Sequence, residues 1–381
     1  MPRDVGGNGG VDERWARAES VLAVRLDSMG DVLMTTPAIR AVKESRPMRN
    51  VTMLASTAGA EIARLVPEID DVIVYDAPWI KATAQRDGAH SDRAMIELLR
   101  QERFDAAIVF TVYSQSPLPA ATLCYLADIP LRLAQCRERA YQLLTDHIPE
   151  IEPDRDTRHE VRRQLDLVAS VGHRTNDERL SVRIDPGAVT RMRTLLDLRG
   201  VDIGRPWAVL HPGATAPSRR YPADFFAEAA SRLSIDHGWT IALVGGPDDE
   251  ALVSELRDLT RAPTVALGTS LDVEELGALL SLAPVLIGNN SGPVHLAAAV
   301  GTSVVDVYAL TNPQHTPWGV PNRVLNRDVP CRFCYASVCP QGHHNCLRLV
   351  PPHDVVDAAL ELVGPTARAS RRSRGYAASA R

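Results

Sequence analysis

Short apolar stretches alternate with segments of helical periodicity along most of this chain, and the alternation begins afresh near residue 207. The apolar stretches predicted as strands are 21–26, 51–55, 71–75 and 105–110 in the first half, and 207–210, 240–244, 264–267, 285–287 and 303–308 in the second. Apolar strands spaced by helices are typical of βαβ units around a buried parallel sheet. The pattern predicts an α/β protein of two facing, doubly wound, Rossmann-like halves, with ligands at the carboxyl ends of the strands in the crevice between them.

A length of 381 residues suits two domains rather than one. We expect a flexible N-terminus at 1–18, an N-terminal domain at 19–185, a C-terminal domain at 186–364 and a disordered basic tail at 365–381. The net charge of −5 argues against a surface that binds nucleic acid in general. No apolar run is long enough to span a bilayer. We therefore expect a cytoplasmic protein that makes at most peripheral contact with the inner face of the membrane.

The segment 285–299 reads as an apolar strand, a small polar turn and an Ala-rich helix. Pro293 suits the first helical turn, where its missing N–H costs nothing. The free N–H groups after Ser291 and Gly292 would form an anion socket, and a phosphate or diphosphate is the expected ligand. His295 lies one turn into this helix, where both a structural role and a ligand contact are open.

A second turn follows the first predicted strand and contains Asp27, Ser28, Gly30 and Asp31. The amides of a helix start would favour the ionised form of Asp31, which could then accept a proton. On its position alone, a helix-capping role for Asp31 is favoured. The glycine spacing is not that of an NAD-binding turn.

Two more turns in the second half carry groups suited to a nucleotide. Arg219 and Arg220 precede a predicted helix, and paired guanidiniums could stabilise a leaving diphosphate. Glu250 opens the helix after Gly245 and Gly246. Its carboxylate could either suit the helix dipole or hydrogen-bond ribose hydroxyls.

Four cysteines form a C-x2-C-x4-C-x6-C pattern within the loop 331–346, namely Cys331, Cys334, Cys339 and Cys346. Dense thiolates in a cytosolic chain suggest a metal site, which would be structural, zinc or a similar ion. The spacing is not that of a standard zinc ribbon, so a reduced loop and a local disulfide also remain open.

In combination, three segments of the chain resemble glycosyltransferase family 9, the ADP-heptose:lipopolysaccharide heptosyltransferases. The segments are Arg25–Val32 with Thr35–Pro37, His211–Gly213 with Arg219–Pro222, and Asn290–Ala299. The similarity extends over about residues 20–363.

The resemblance implies a GT-B fold with an N-terminal acceptor domain and a C-terminal nucleotide-sugar domain. It also implies that Asp31 is the general base and that Arg219 stands at the family's phosphate-binding Lys position. Asn290 stands where the family usually has an Asp that helps to hold the donor. The remaining implied donor contacts are Thr215, Arg220, Glu250 at the ribose, Thr269 at the adenine edge, Ser291, Gly292 and His295, while Asp27 and Gly30 lie near the base.

The implied reaction moves a heptose-like sugar from an ADP-sugar to a saccharide or glycolipid acceptor. It would proceed with inversion, without a catalytic metal and without a cofactor. Two alternatives stay open, a nucleotide-sugar 2-epimerase of the same fold and a non-catalytic protein that binds nucleotide sugars or glycans.

Overall fold

The computed structural model describes residues 3–4, 12–81, 83–85, 87–155 and 157–364. The chain divides into two compact units, residues 1–183 and 184–381. The predicted basic tail at 365–381 lies outside the described residues. Among the helices that are described, none is long and apolar enough to cross a membrane.

The first unit is built around a parallel sheet, in which seven strands are described, in the order β1-β7-β6-β5-β2-β3-β4. Its strands are β1 (Arg3–Asp4), β2 (Ser20–Arg25), β3 (Asn50–Ala55), β4 (Asp71–Val74), β5 (Ala106–Val109), β6 (Leu131–Cys136) and β7 (Asp146–Pro149). Its helices are α1 (Glu13–Arg17), α2 (Met29–Glu44), α3 (Thr57–Ala63), α4 (His90–Glu102), α5 (Leu118–Leu126) and α6 (Glu160–Ala169). Strands β2, β3 and β5 are almost entirely buried, as expected for a sheet covered on both faces.

The second unit has a parallel sheet of six described strands in the order β10-β9-β8-β11-β12-β13. Its strands are β8 (Trp207–His211), β9 (Thr240–Val244), β10 (Val265–Gly268), β11 (Val285–Asn289), β12 (Ser303–Val307) and β13 (Asn322–Leu325). Its helices are α7 (Pro186–Leu198), α8 (Ala223–Ile235), α9 (Glu250–Leu259), α10 (Val273–Leu282), α11 (Gly292–Ala299), α12 (Asn345–Arg348) and α13 (Pro352–Val363). The predicted α/β class with two doubly wound, Rossmann-like units is confirmed.

The N-terminal region differs from the flexible segment predicted at 1–18, because residues 13–17 form helix α1. Trp15 in this helix is fully buried. Its indole Nε1 donates to Asp146 over 3.1 Å, and its carbonyl accepts from Arg49 Nη2 over 2.8 Å. Both partners are distant in sequence, so the local pattern could not indicate them.

Helix α2 begins at Met29, directly after Ser28. The Asp31 carboxylate accepts from the Ser28 backbone N–H over 3.3 Å, while the Asp31 N–H donates to the Ser28 carbonyl over 3.0 Å. These bonds between the residue before the helix and its first turn fix where the helix begins.

A buried histidine gives the first unit a pH-dependent stability. His173 is fully buried, its Nδ1 lies 2.9 Å from Ser45 Oγ, and burial, together with the nearby Arg49, lowers the pKa of His173 to about 4. The unfolded chain protonates a histidine near pH 6.5, so stability is lost as the pH falls from that value towards 4.

We expect the wild type to lose about 2 kcal/mol more unfolding free energy between pH 7 and pH 5 than His173→Gln. Urea unfolding at both pH values measures the difference. His90→Gln, which changes an exposed histidine, is the matched control and should follow the wild type. An equal loss in all three proteins would contradict the prediction.

Candidate functional site

The turn between β2 and α2 surrounds one buried guanidinium. Arg25, the last residue of β2, is fully buried. Its Nε lies 3.0 Å from Asp27, its Nη2 3.1 Å from Asp31 and its Nη1 3.0 Å from Glu160. We call Arg25, Asp27, Asp31 and Glu160 the Arg25 cluster. The Arg25 guanidinium thus faces three carboxylates, and Glu160 also lies 3.8 Å from Nη1 of the buried Arg163.

The three carboxylates of the Arg25 cluster differ in their other contacts. Asp31 accepts from Ser28 Oγ over 2.9 Å. Glu160 is fully buried and accepts from Gln164 Nε2 over 2.7 Å. Asp27 accepts from Gln115 Nε2 over 2.7 Å. Each carboxylate is therefore held in a fixed orientation.

Burial dominates the electrostatics of Asp27. It raises the pKa of Asp27 to about 6, although Arg25 acts in the opposite direction, and the neighbouring charges of Asp31 and Glu160 raise it further. Burial also disfavours the charged form of Arg25, but Asp27, Glu160 and Asp31 together raise the pKa of Arg25 above its usual range. Arg25 therefore stays charged, while Asp27 can exchange a proton near neutral pH.

In the second unit, the predicted donor-site residues follow four different strands at one edge of the sheet. Because all of these strands are parallel, their carboxyl ends lie at the same edge. Thr215, Arg219 and Arg220 follow β8, Glu250 follows β9, Thr269 follows β10, and Asn290, Ser291, Gly292 and His295 follow β11.

The start of α11 has the form expected of an anion socket. Ser291 is the N-cap residue, and its side chain makes no capping hydrogen bond. Its Oγ instead lies 3.1 Å from the carbonyl of Asn289 and 3.3 Å from that of Gly213. Pro293 has no N–H and the Val294 N–H donates to the Ser291 carbonyl over 3.1 Å, so the Gly292 N–H is the group of the first turn that could meet a ligand.

Asn289, which the sequence analysis did not single out, connects the end of β11 to the loop after β8. It is fully buried; its Oδ1 accepts from the Tyr221 N–H over 2.9 Å, and its Nδ2 donates to the Pro212 carbonyl over 2.5 Å. These bonds fix the loop that carries Arg219 and Arg220 against the end of β11. The repeated Asn in Asn289-Asn290 was the signal available in the sequence.

The two adjacent arginines have different surroundings. Arg220 is exposed and donates from Nε to the Ala214 carbonyl over 2.8 Å. Arg219 is half-buried. Its positive charge favours the ionised form of Asp306, a fully buried residue of β12. Burial raises the pKa of Asp306 well above its ordinary value. Asp306 is a second residue that the sequence pattern did not indicate, because it lies inside an apolar strand.

Gly213 allows the turns after β8 and β9 to approach each other. A Cβ at this position would lie 1.9 Å from Oδ2 of Asp249, so only glycine fits there. Asp249 itself accepts from the Gly246 N–H over 3.0 Å. The turn that carries Thr215 is thereby set beside the start of α9, where Glu250 lies.

The cysteine loop gives no support to the predicted zinc site. Cys331 Sγ lies 3.8 Å from His343 Nε2, and Cys331, Cys334, Cys339 and Cys346 are all free cysteines. Across the described residues, no group of three or more His, Cys, Asp or Glu side chains is arranged to hold a metal ion.

Removing the cation of the Arg25 cluster should strongly destabilise the protein. We expect Arg25→Met to lower the free energy of unfolding by about 3–5 kcal/mol, because it leaves buried carboxylates unpaired. Urea unfolding measures the change.

Arg17→Met is the matched control, because Arg17 is 80% exposed and pairs with an equally exposed Glu13. Its expected effect is below about 0.5 kcal/mol. A similar small loss in Arg25→Met would show that the cluster does not need its cation.

Comparisons with known proteins find relatives of the whole chain. The family model described as glycosyltransferase family 9 (heptosyltransferase) matches residues 93–344. Lipopolysaccharide heptosyltransferase 3 of Escherichia coli is 27% identical over 352 residues, which cover 88% of this chain and 96% of the relative.

Two solved structures share the fold over nearly their whole length. The glycosyl transferase family 9 protein of Veillonella parvula aligns with a TM-score of 0.75 at 20% identity, covering 95% of this chain and 98% of the other. The E. coli ADP-heptose lps heptosyltransferase II aligns with a TM-score of 0.71 at 21% identity, covering 90% and 98%. The GT-B fold class is thereby confirmed.

Proposed function

The chain belongs to glycosyltransferase family 9, and from this membership we propose that it transfers a heptose from ADP-heptose to a saccharide or glycolipid acceptor of the lipopolysaccharide-core type. The similarity to the E. coli lipopolysaccharide heptosyltransferase over 88% of this chain is the observation that carries the choice of heptose. The reaction proceeds with inversion and without a catalytic metal. Peripheral contact with the cytoplasmic face of the membrane would bring the enzyme to a glycolipid acceptor.

The edge of the second sheet holds the ADP-heptose donor in this proposal. The start of α11, with Ser291, Gly292 and the neighbouring Asn290 and His295, receives the diphosphate. Arg219, Arg220 and Thr215 stabilise the negative charge that develops on it as the sugar leaves. Glu250 and Thr269 contact the nucleoside. Asn289 supports this assignment, because it fixes the arginine loop beside the helix start.

Asp31 is the general base. The acceptor hydroxyl gives its proton to the Asp31 carboxylate while its oxygen bonds to the anomeric carbon. The bond from that carbon to the diphosphate oxygen breaks, and ADP leaves with the electron pair. A single displacement inverts the configuration at the anomeric carbon. The support is geometric, since Arg25 Nη2 at 3.1 Å and Ser28 Oγ at 2.9 Å fix the carboxylate.

The two alternative functions, a nucleotide-sugar 2-epimerase and a non-catalytic binding protein, are not favoured. The matching family model and the E. coli relative both carry the names of transferases, not of epimerases. Consumption of ADP-heptose without an acceptor would support the epimerase, and the absence of ADP release under all conditions would support a binding protein.

We expect Asp31→Asn to lower kcat for ADP release from ADP-heptose by about 10²–10⁴-fold, the usual contribution of a general base. Titration calorimetry with ADP should give an unchanged Kd, because Asp31 is not part of the donor site.

Asp92→Asn is the matched control, because Asp92 also lies in the first turn of a helix of the same unit. It should retain wild-type kcat. Equal losses in both variants, or a matching loss of ADP binding in Asp31→Asn, would show that Asp31 acts only as a helix-start residue.

A further inference from the structure

The loop that carries Arg219 is held by a part of the chain to which the proposed reaction gives no role. Ser218, directly before Arg219, is only 3% exposed. Its Oγ donates to the Ala336 carbonyl over 2.7 Å, and its backbone N–H donates to the Ser337 carbonyl over 3.0 Å. Both acceptors belong to the cysteine loop 331–346. The cysteine loop therefore contacts the loop to which we assign the donor's diphosphate.

The two acceptor carbonyls are part of residues 333–337, which we call the bridging segment. The Phe333 N–H donates to the Leu310 carbonyl over 2.6 Å. The Tyr335 N–H donates to the Thr311 carbonyl over 2.9 Å. Both of these carbonyls lie in the loop after β12. The bridging segment thus joins the loops that follow β8 and β12.

Two residues of the bridging segment adopt a backbone conformation that needs support from their surroundings. Phe333 has a φ of 59° and Tyr335 a φ of 52°, in the left-handed region that residues other than glycine rarely adopt. Such a conformation costs energy and persists only where the surrounding structure fixes it. The hydrogen bonds to the loop after β12 provide this constraint. The bridging segment is therefore a fixed support for its own contacts.

The guanidinium of Arg219 has capacity for an anion. Its Nε is buried and has no hydrogen-bond partner among the residues that the structure describes. The positive charge of Arg219 acts on the buried carboxyl of Asp306, but burial raises the pKa of Asp306 well above its ordinary value. An un-ionised Asp306 leaves the guanidinium to an incoming anion.

We propose that Ser218 and the bridging segment position Arg219 for the donor's diphosphate, so that the cysteine loop supports the donor site. Ser218 fixes the chain on one side of Arg219, and Asn289 fixes Tyr221 on the other. Ser218 is a positioning residue that acts through Arg219. The diphosphate as ligand of Arg219 rests on the proposed function, while the support of its loop rests on the hydrogen bonds.

Binding of ADP to the full chain tests the proposal without requiring transfer. Ser218→Ala removes the hydroxyl that donates to the Ala336 carbonyl and leaves the backbone bond to Ser337 in place. We expect titration calorimetry to give a Kd for ADP raised about fivefold, the effect of one lost hydrogen bond.

Ser231→Ala is the matched control, because Ser231 is also buried in the second unit and its Oγ donates to the Ala227 carbonyl over 2.7 Å. Both variants should lower the midpoint of urea unfolding, but Ser231→Ala should keep the wild-type Kd for ADP. A Kd that is unchanged in Ser218→Ala, or raised equally in both variants, would overturn the proposal.

Arg219→Met distinguishes positioning of the guanidinium from a general loosening of the site. It removes the charge, and we expect it to raise the Kd for ADP about thirtyfold. If Ser218 acts through Arg219, adding Ser218→Ala to Arg219→Met should change the Kd no further. A double variant in which the two losses multiply would show that Ser218 acts by another route and would refute the positioning role.

The same measurements distinguish this proposal from the proposed function. A wild type that binds ADP more tightly than Ser218→Ala does, but never releases ADP from ADP-heptose, would refute only the proposed function. A wild type that transfers heptose while Ser218→Ala binds ADP equally well would refute only the positioning role. A wild type that does not bind ADP would refute both.

Discussion

The buried guanidinium of Arg25 is the interaction on which the first unit's chemistry depends. It joins the end of β2, the start of α2 and the first residue of α6 through Asp27, Asp31 and Glu160. A buried cation is tolerated only with well-placed anions, so the four side chains specify one another's positions. The same cation therefore fixes the carboxylate of Asp31, to which we assign proton transfer.

The two units differ in the charged groups that follow their strands. In the first unit three carboxylates surround the guanidinium of Arg25, and Glu160 also lies 3.8 Å from Nη1 of the buried Arg163. In the second unit a helix start and two arginines follow strands β8 and β11, an arrangement suited to a diphosphate. This division matches a reaction that joins a neutral hydroxyl to a sugar carried on a diphosphate.

The sequence alone predicted those strands and helix starts whose signal lies in neighbouring residues. The buried strands read as apolar runs, and the turn Ser291-Gly292-Pro293 marked the start of α11. Contacts between residues distant in the sequence could not be predicted from it. Strand β6 was not predicted because Arg132 and Gln135 interrupt it, yet both are buried; the Arg132 Nε donates to the Leu143 carbonyl over 2.8 Å. Glu160 could not be joined to Arg25, 135 positions away, by any local pattern.

The pH dependence of transfer tests the role of the Arg25 cluster most directly. The measurement is the acidic midpoint of kcat/KM for ADP release from ADP-heptose, compared between the wild type and Glu160→Gln. The charge of Glu160 raises the pKa of Asp27, a neighbour of Asp31 in the cluster. Removing that charge should move the acidic midpoint to lower pH. A midpoint that stays where it is, or moves to higher pH, would contradict the view that the charges of this buried cluster control the acidic limb of the reaction.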